Sequence, residues 1–485
     1  MTGPNRNLFS EVESLTFDDV LVVPGWSDVL PHEVSTTTSL GGFELKVPLL
    51  SAAMDTVSEA PLAIALAREG GIGVLHRNLS IEEQAQQVDL VKRAQSGMIN
   101  DPVSLLPTAT LAEAEELMGR HSISGIPIAD ADRRLVGILT NRDIRFVTES
   151  QYGQPVTDFM TSKGLVTAPV GTSLDDAVKT LHQHRIEKLP LVDTEGRLTG
   201  LITVKDIRKR IEKPDSSLDS DGRLLVGAAI GVTDAADRTE ALIEAGVDVL
   251  VIDTAHGHTR GVIDTVSMVK AKWPSTMVIG GNVVTAEGTE ALIKAGADVV
   301  KVGVGAGSIC TTRIVAGAGM PQLSAIYECS QVARALDIPV IADGGVVTSG
   351  DIVKAFVAGA DAVMLGNALA GVDEAPGELE LVDGAMWKTY RGMGSAGAMK
   401  GRAADRYGSS KVPGKHVAEG VEARVRYAGS LSDLVGQLVG GLRSGMGYAG
   451  AGNLHDLQHK ARLTKITGAG LRESHPHDVQ IMRED

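Results

Sequence analysis

A cysteine lies among glycines and polar residues in the segment KVGVGAGSICTTR, which runs from Lys301 to Arg313. A thiolate is a strong nucleophile, and glycines let the backbone approach a ligand closely. Ser308, Thr311 and Thr312 crowd polar groups onto a loop in which a core cysteine would not need them. Cys310 is therefore predicted to be a catalytic nucleophile, and an ordinary buried thiol is the alternative.

The overall composition predicts a soluble cytoplasmic protein that acts on small molecules. The chain has 485 residues, of which 43% are hydrophobic, and 61 acidic against 46 basic side chains give a net charge of -15. This charge disfavours nucleic acid and anionic membranes as partners. The two cysteines exclude a disulfide framework, and Cys329 lies in a helical pattern that predicts ordinary packing. No signal peptide is expected at the N-terminus, and no apolar run approaches the about 20 residues that cross a membrane.

Short apolar segments that alternate with helical patterns must position the cysteine loop. Eight such segments predict buried parallel strands, because strands covered on both faces are almost continuously hydrophobic. They are 47–53, 71–76, 224–231, 247–254, 277–283, 299–305, 340–345 and 362–367. The fold class is therefore predicted as α/β, a (β/α)8 TIM barrel, with an open doubly wound sheet as the alternative.

The connection between the second and third strands is far longer than normal, which predicts an inserted domain. Within it the sequence repeats at a constant offset of 63 residues, so two copies of one βαββα module are implied. The matched pairs are Thr110 and Ser173, Leu111 and Leu174, Pro127 and Pro190, Gly137 and Gly200, Thr140 and Thr203, and Asp143 and Asp206. We expect the barrel to comprise 1–97 and 214–485, and the two repeats to comprise 98–150 and 151–213.

Each repeat carries Thr, two variable residues and Asp directly after a predicted strand, as TNRD and TVKD. This corner resembles the ribose-contacting corner of cystathionine-β-synthase (CBS) repeats, so the insertion resembles a tandem CBS (Bateman) domain. The resemblance implies that Thr140, Asp143, Thr203 and Asp206 bind a regulatory nucleotide such as ATP or GTP. A helix N-cap is the alternative in each copy, because Thr and Asp also accept hydrogen bonds from free backbone amides.

Motifs along almost the whole chain resemble those of the inosine-5'-monophosphate (IMP) dehydrogenase and guanosine-5'-monophosphate (GMP) reductase family. GSICTTR followed by AGAGMPQLSAI is similar to the catalytic loop that both branches of the family share. Further similar segments are LTFDDVLVVP, PLLSAAMDTVSE, IDTAHGH, GGNVVT, DGGVVTSGD, YRGMGS, GGLRSGMGYAG and AGLRESHPHDV. The resemblance implies that Cys310 adds to C2 of the purine and that hydride passes to NAD.

The resemblance also implies which residues surround the purine nucleotide IMP. They are Ser308, Asp343, Gly344, Gly345, Gly366, Asn367, Tyr390, Arg391, Gly392, Met393, Gly394 and Glu419. Ser308 and the glycine-rich strand ends would hold the phosphate, Asp343 the ribose, and Glu419 the base. Such loops are typical of barrel phosphate sites: DGG or GN alone is better explained by a tight turn, but the two together on adjacent strand ends favour phosphate.

For the cofactor, the resemblance implies that Asp253 contacts the nicotinamide ribose of NAD and that 303–305 line the same pocket. The lining residues are Gly303, Val304 and Gly305. A helix cap at the end of a strand is the alternative role for Asp253.

A potassium ion held by backbone carbonyls is a second implied ligand, since carbonyls can replace the water around such an ion. Its ligands would be Gly305, Gly307 and Cys310, with Glu473, Ser474 and His475 of the partner subunit. The shared site implies a homotetramer, with an octamer as the larger alternative. A histidine metal site in ESHPH is the competing interpretation of this segment.

The segment 395–429 decides between the two branches of the family. It is rich in Gly, Ala, Ser and Lys, which predicts a mobile surface loop, and it contains Asp405, Arg406 and Tyr407. This triplet resembles the flap of the dehydrogenases, in which Arg406, helped by Tyr407 and Thr312, would activate water. A solvated loop charge is the alternative. The flap and the ESHPHDV tail favour the dehydrogenase branch over the reductases.

Two departures from the family pattern are Ala306, where Pro is usual, and Gly408 followed by serines, where Phe and Gln are common. Neither removes a group with a chemical role, although both alter the loops that position such groups. A regulatory protein that senses nucleotides through the repeats and lacks barrel activity is a competing hypothesis. The joint presence of Cys310, Arg406 and Asp343 argues against it.

Overall fold

A computed structural model describes residues 13–94, 99–100, 102–121, 123–401 and 417–479. The chain divides into two compact units. The first consists of 1–92, 215–218 and 224–485, and the second of 93–214 and 219–223. The identification of the second unit as CBS repeats stays a prediction.

Eight parallel strands form the centre of the first unit. They are β1 (Leu49–Ser51), β2 (Gly73–Leu75), β3 (Val226–Ile230), β4 (Val249–Asp253), β5 (Met277–Val283), β6 (Val299–Val302), β7 (Val340–Asp343) and β8 (Ala362–Leu365). Their hydrogen-bonded order is β1–β8–β7–β6–β5–β4–β3–β2. Backbone hydrogen bonds that join Ile72 to Leu49 and Ser51 close the ring between β1 and β2. The predicted (β/α)8 barrel is thus confirmed.

The strands form because their side chains are apolar and can be covered on both faces. Every residue of β3, β4, β5, β6 and β8 is buried. Side chains from all eight strands or their immediate ends meet in one core cluster, which includes Leu50, Val74, Ala229, Val251, Ile279, Val299, Ile341 and Met364. This packed interior holds the strand ends, and hence the loops that follow them, in fixed positions.

Eight helices surround the strands. They are α1 (Ala60–Arg68), α2 (Ile81–Ala94), α3 (Ala235–Glu244), α4 (Arg260–Lys272), α5 (Ala286–Lys294), α6 (Gln322–Ala335), α7 (Ser349–Val357) and α8 (Leu431–Ala449). Polar side chains cap several N-termini: Thr285 accepts from the Gly288 amide, and Thr348 accepts from the Asp351 amide. These caps satisfy amides that have no partner within the helix.

Smaller elements flank the barrel. Val20–Val23 pairs with Arg462–Lys465, and Thr38–Leu40 pairs with Phe43–Leu45. A three-stranded antiparallel sheet consists of Leu379–Val382, Ala385–Arg391 and Glu422–Arg426. The remaining short helices are Phe17–Asp19 (3-10), Thr312–Val315, Asn367–Ala370, Ala396–Met399, Leu454–Lys460 and Gly468–Glu473.

The second unit repeats its elements at the predicted offset. The first copy has a helix at Leu111–Arg120 and strands at Gly125–Ala129 and Leu135–Thr140. The second copy has Leu174–His184, Lys188–Val192 and Leu198–Thr203, whose first residues all lie 63 positions later. Other elements of this unit are Ile99–Asn100, Ala168–Pro169, the helix Val204–Glu212, and the 3-10 helices Glu149–Gln151 and Val156–Asp158.

Each copy in the second unit has its own apolar core. Leu111, Ile126 and Leu139 belong to the first core, and Leu181, Leu189 and Ile202 belong to the second. The sequence repeat therefore corresponds to a structural repeat. None of the helices in the described parts of the chain is long and apolar enough to span a membrane.

Candidate active site

The cysteine loop follows β6 at the carboxyl end of the barrel, where active sites of this fold lie. Cys310 sits in this loop just before the helix Thr312–Val315 and is partly exposed. Cys329, on α6, is fully buried, and burial raises the pKa of its thiol to about 12. Only the first of the two thiols is thus both accessible and placed among loops.

A row of hydrogen bonds runs from Cys310 to a carboxylate. The Cys310 thiol donates to Thr312 Oγ1 over 3.2 Å, and the Thr312 hydroxyl donates to Glu419 Oε2 over 2.8 Å. A backbone bridge between Cys310 and Gly420 fixes the two segments, and the Thr311 amide donates to the Glu419 carbonyl. The arrangement offers the thiol proton a path to a half-buried carboxylate.

Tyr390 lies at the ends of β6 and β8 with its ring buried. Burial raises the pKa of its phenol to about 12, a smaller contribution from Asp343 also raises it, and a hydrogen bond with Ser308 opposes them. A Cβ at Gly366 would come within 3.1 Å of the phenol oxygen, so the absence of a side chain there lets Tyr390 lie close to the backbone. Ser308, Tyr390 and Gly366, all predicted to surround the phosphate, are therefore neighbours.

Asp343 and Asp253, predicted to contact the two riboses, are tied together by a residue that the sequence analysis missed. The ammonium of Lys301, on β6, lies 2.5 Å from Asp343 Oδ2 and 3.2 Å from Asp253 Oδ1. Asn282, on β5, donates to Asp343 Oδ2 over 2.8 Å. Asp253 is not a helix cap, because α4 begins after Thr259. It is the carboxylate of a buried ion pair.

Glycines bring the loops after β6 and β7 into close contact. Gly303, at φ +146°, has no room for a Cβ because the Asp343 carbonyl occupies that position. Gly344 and Gly345 have φ of +95° and +80°, which other residues rarely adopt. Asn367 begins the short helix after β8, with Gly366 preceding it. These glycines let the loops after β6 and β7 pack directly against each other.

The predicted base-contacting segment pairs with the chain around Glu419. The Gly392 amide donates to the Val421 carbonyl, and the Glu419 amide donates to the Gly394 carbonyl. Met393 is buried against Met54 and Ala398. The segment is thus held beside the Thr312–Glu419 pair.

Arg391 makes a structural ion pair with the barrel. Its guanidinium donates to both oxygens of Asp55, at 3.1 Å and 2.6 Å, and this pairing raises the pKa of Arg391. Arg313 likewise contacts protein atoms, since its side chain lies against Gly305 and Gly319 and donates to the Met320 carbonyl. Neither guanidinium contacts the Cys310 thiol.

The predicted potassium ligands lie in two separate segments. The Cys310 amide donates to the Gly307 carbonyl over 3.1 Å, within the loop that also contains Val304 and Gly305. Glu473 ends the helix Gly468–Glu473, and Ser474 and His475 follow it. Across the described ranges, no group of three or more His, Cys, Asp or Glu side chains is arranged to hold a metal ion.

Two predicted sites are described in part or not at all. Arg406 and Tyr407 lie outside the described residues. In the first repeat the Thr140 hydroxyl and amide both donate to Asp143 Oδ2, at 2.7 Å and 2.8 Å. In the second repeat Thr203 ends its strand and a helix follows directly, with Asp206 in its first turn.

Sequence reasoning missed Lys301, Asn282, Asp55 and Gln322. Gln322 is buried and donates to the carbonyls of Val302 and Asp343. A charged residue inside the otherwise apolar strand DVVKVGVG was the available signal for Lys301, since buried lysines are rare without a partner.

The partly exposed thiol of Cys310 lies on a loop at the carboxyl end of a (β/α)8 barrel, the position where enzymes of this fold have their active sites. A family model described as the IMP dehydrogenase / GMP reductase domain matches residues 14–477. The chain belongs to the IMP dehydrogenase / GMP reductase family.

Named relatives agree with this assignment. The chain is 59% identical to an inosine-5'-monophosphate dehydrogenase of Aquifex aeolicus (strain VF5) over 475 residues, covering 97% of both chains. It is 57% identical to that of Halalkalibacterium halodurans over 97% of both chains, and 56% identical to that of Streptococcus pyogenes over 97% of this chain and 96% of the relative.

Solved structures of the other branch share the fold. A variant of GMP reductase from Trypanosoma brucei, in complex with guanosine 5'-monophosphate, matches with a TM-score of 0.90 and 45% identity over 97% of this chain and 99% of that one. GMP reductase from the same organism in complex with guanosine 5'-triphosphate matches with a TM-score of 0.79 and 41% identity, over 95% and 99%.

Proposed function

We propose that this chain oxidises IMP to xanthosine 5'-monophosphate with NAD, as a cytoplasmic enzyme of guanine nucleotide biosynthesis. The hydrogen-bonded row from Cys310 through Thr312 to Glu419 is the observation that carries the proposal. Named IMP dehydrogenases at 56–59% identity support it over the full barrel and the insertion.

Cys310 forms a covalent bond to the substrate. Its sulfur attacks C2 of the purine, and Thr312 and Glu419 relay the thiol proton away. NAD, when bound, accepts the hydride that leaves C2. The resulting thioimidate on Cys310 is then hydrolysed: water adds to C2, the carbon–sulfur bond breaks, and the thiol returns.

The residues near Cys310 fit a purine nucleotide. Ser308, Tyr390 and the backbone amides around Gly366 fit the phosphate, because hydroxyls and backbone amides bind anions. Asp343 presents its Oδ1 to the ribose, since Oδ2 is engaged by Lys301 and Asn282. The segment 392–394 lies along the base, beside Glu419.

NAD fits on the β4 side of the cysteine loop. Asp253 offers a carboxylate for ribose hydroxyls, and residues 303–305 directly follow β6, whose Lys301 contacts Asp253. The dinucleotide and the purine would thus meet beside Cys310.

Hydrolysis requires a base that removes a proton from water. We assign this role to Arg406, with Tyr407 and Thr312 as helpers. The proton that Glu419 took up through Thr312 in the first step returns to the sulfur when the carbon–sulfur bond breaks.

A potassium ion would be held by the carbonyls of Gly305, Gly307 and Cys310. Backbone carbonyls are hard oxygen donors that suit an alkali ion, and the ion would fix the loop that carries the thiol. Glu473, Ser474 and His475 of the partner subunit would complete the ring, which makes a homotetramer the proposed assembly. Turnover should therefore fall when sodium replaces potassium.

The second unit would bind ATP or GTP at the corners Thr140–Asp143 and Thr203–Asp206. The duplicated architecture supports this, since each copy places the corner at the end of its last strand. Calorimetric titration of the whole chain with each nucleotide at millimolar concentration tests it. No heat with either nucleotide would leave the unit a purely structural role.

One absorbance assay tests the proposed activity. With IMP and NAD the chain should produce reduced nicotinamide, and Cys310→Ala should abolish this while leaving the fold intact. Consumption of NADPH with GMP, without reduction of NAD, would make the chain a GMP reductase. No signal in either direction would favour a regulatory protein without barrel activity.

A further inference from the structure

Lys301 is a buried cation near the carboxyl end of β6. Its side chain is 1% exposed, and its ammonium lies 2.5 Å from Asp343 Oδ2 and 3.2 Å from Asp253 Oδ1. It also donates to the amide oxygen of Asn282, whose nitrogen donates to Asp343 Oδ2 over 2.8 Å and to the Gly303 carbonyl over 2.7 Å. One ammonium group therefore joins side chains of β4, β5 and β7.

The neighbouring strand makes room for this lysine. A Cβ at Gly281, on β5, would come within 2.8 Å of both the Cβ and the carbonyl oxygen of Lys301. A side chain at that position would push Lys301 away from its partners. The arrangement thus depends on the sequence of β5 as well as on the lysine itself.

The lysine lets two buried carboxylates be charged together. Asp253 is 3% exposed, and the Asp343 side chain is 18% exposed. Carboxylates that are buried and share a site resist joint ionisation, so without a cation one of them takes up a proton. Lys301 places one positive charge between them.

We propose that Lys301 is a positioning residue shared by the substrate and cofactor sites. It holds Asp343 and Asp253 ionised and aimed, so that they accept hydrogen bonds from the ribose hydroxyls of IMP and NAD at the same time. The inference rests on the proposed function, which assigns those carboxylates to the two riboses. Loss of the ammonium should therefore weaken both ligands, although Lys301 is predicted to touch neither.

The charged groups that contact Lys301 come from two other strands. Asp253 comes from β4 and Asp343 from β7, while β5 contributes only the neutral amide of Asn282. The phenol of Tyr390, which Asp343 affects, has its pKa raised to about 12 and stays neutral in any ordinary assay. Cys310 and Glu419 also exchange a proton in the proposed mechanism, but both are unchanged in a Lys301 variant, so a shift of the acidic limb on loss of the ammonium is assigned to the two aspartates.

Lys301→Met tests the proposal, because methionine fills the space without the charge. We expect kcat/KM for IMP and for NAD each to fall at least about tenfold near neutral pH, as for a lost charged hydrogen bond. The acidic limb of both pH profiles should move up by about one to three pH units, so that activity returns as the pH rises and the carboxylates ionise. An unshifted limb overturns the proposal.

Lys92→Met is the matched control. Lys92 is also buried and pairs with Asp248 at 2.5 Å, at the opposite end of β4. This variant should lose stability but keep the position of the acidic limb. An equal shift in both variants would mean that any buried lysine of the barrel has this effect, which contradicts a specific role.

The double variant Lys301→Met/Asp253→Asn covers the case in which Lys301→Met does not fold. It retains one buried carboxylate, so we expect it to fold and to bind IMP in calorimetry without NAD. A folded double variant that does not bind IMP, or one that fails to fold, overturns the proposal. Turnover by the native chain tests the proposed function separately, since only the comparison of variants bears on Lys301.

Discussion

At the scale of single residues, the two cysteines show how placement separates chemistry from packing. The Cys310 thiol is partly exposed and donates a hydrogen bond to the Thr312 hydroxyl. Cys329 is buried in α6, and burial raises its pKa to about 12. The thiolate is the reactive form of cysteine, so burial leaves Cys329 inert. Of the two thiols, only that of Cys310 is placed to react.

Alkylation should distinguish the two thiols. At about pH 8 the thiolate fraction of Cys329 is on the order of 10⁻⁴, because its pKa of about 12 lies far above the pH. Iodoacetamide should therefore label Cys310 alone, and more slowly when IMP is present. Peptide mass spectrometry of the native chain checks this, with Cys310→Ala as the unlabelled control. Labelling of Cys329 in folded protein would contradict the assigned burial.

Replacing the hydroxyl between sulfur and carboxylate should slow the reaction. Thr312→Val keeps the shape of the side chain but breaks both hydrogen bonds, so kcat should fall by on the order of 10². Thr311→Val is the control, because the Thr311 contact with Glu419 is made by its backbone amide. Steady-state kinetics give kcat for both variants. An equal loss of kcat in the two would show that any change to the loop slows the reaction and that the Thr312 hydroxyl has no special role.

The site residues that the sequence predicted lie at strand ends, whereas a residue that it did not predict lies inside a strand. Cys310, Ser308 and Asp343 lie at strand ends in glycine-rich segments, where chain order alone predicts convergence on one edge of a barrel. Lys301 lies inside a strand, and its role depends on which side chains of neighbouring strands face it. That information is in the register of β4 to β7, which a single sequence does not reveal.

At the scale of elements, strands and helices were predictable because their signals are local. All eight predicted strands exist; Met277–Val283 has the predicted bounds, and the other seven are shorter by two to four residues. The capping residues Thr285 and Thr348 begin the helices that their positions suggest. The antiparallel sheet that contains Ala385–Arg391 was not predicted, since its strands are half-exposed and joined by long-range pairing.

Glycines on α8 differ in their tolerance of a methyl group. At Gly441 a Cβ would collide with Ser349 at the start of α7, whereas at Gly436 it would meet open space. Gly441→Ala should destabilise the barrel by about 1–3 kcal/mol, as overpacking does, and displace the loop before α7. Gly436→Ala should stabilise it by about 1 kcal/mol, because alanine favours a helix. Thermal unfolding measures both; the same sign for the two variants would contradict this packing.

At the scale of the whole molecule, the predicted active-site residues and the sequence repeat lie in different units. The described site residues around Cys310 all belong to the first unit, and the 63-residue repeat lies in the second. The family match runs from residue 14 to residue 477 and so includes both. Sequence reasoning found the insertion because its length and internal repeat are visible without structural information.

Each unit has its own apolar core, so the barrel should work alone. Replacing 94–214 by a flexible Gly/Ser linker should leave kcat for IMP oxidation close to that of the full chain, while any response to ATP or GTP disappears. Activity assays with and without each nucleotide provide the comparison. Loss of turnover in a folded shortened chain would show that the second unit contributes to the chemistry.

The covalent bond between Cys310 and the purine is the central claim, and rapid-quench mass spectrometry tests it most directly. After mixing with IMP and NAD, the native chain should carry a transient purine nucleotide adduct on the peptide that contains Cys310. In Arg406→Ala the adduct should accumulate after one burst of reduced cofactor, because hydrolysis loses its base. Reduction of NAD without any adduct on Cys310, in either chain, would contradict the account.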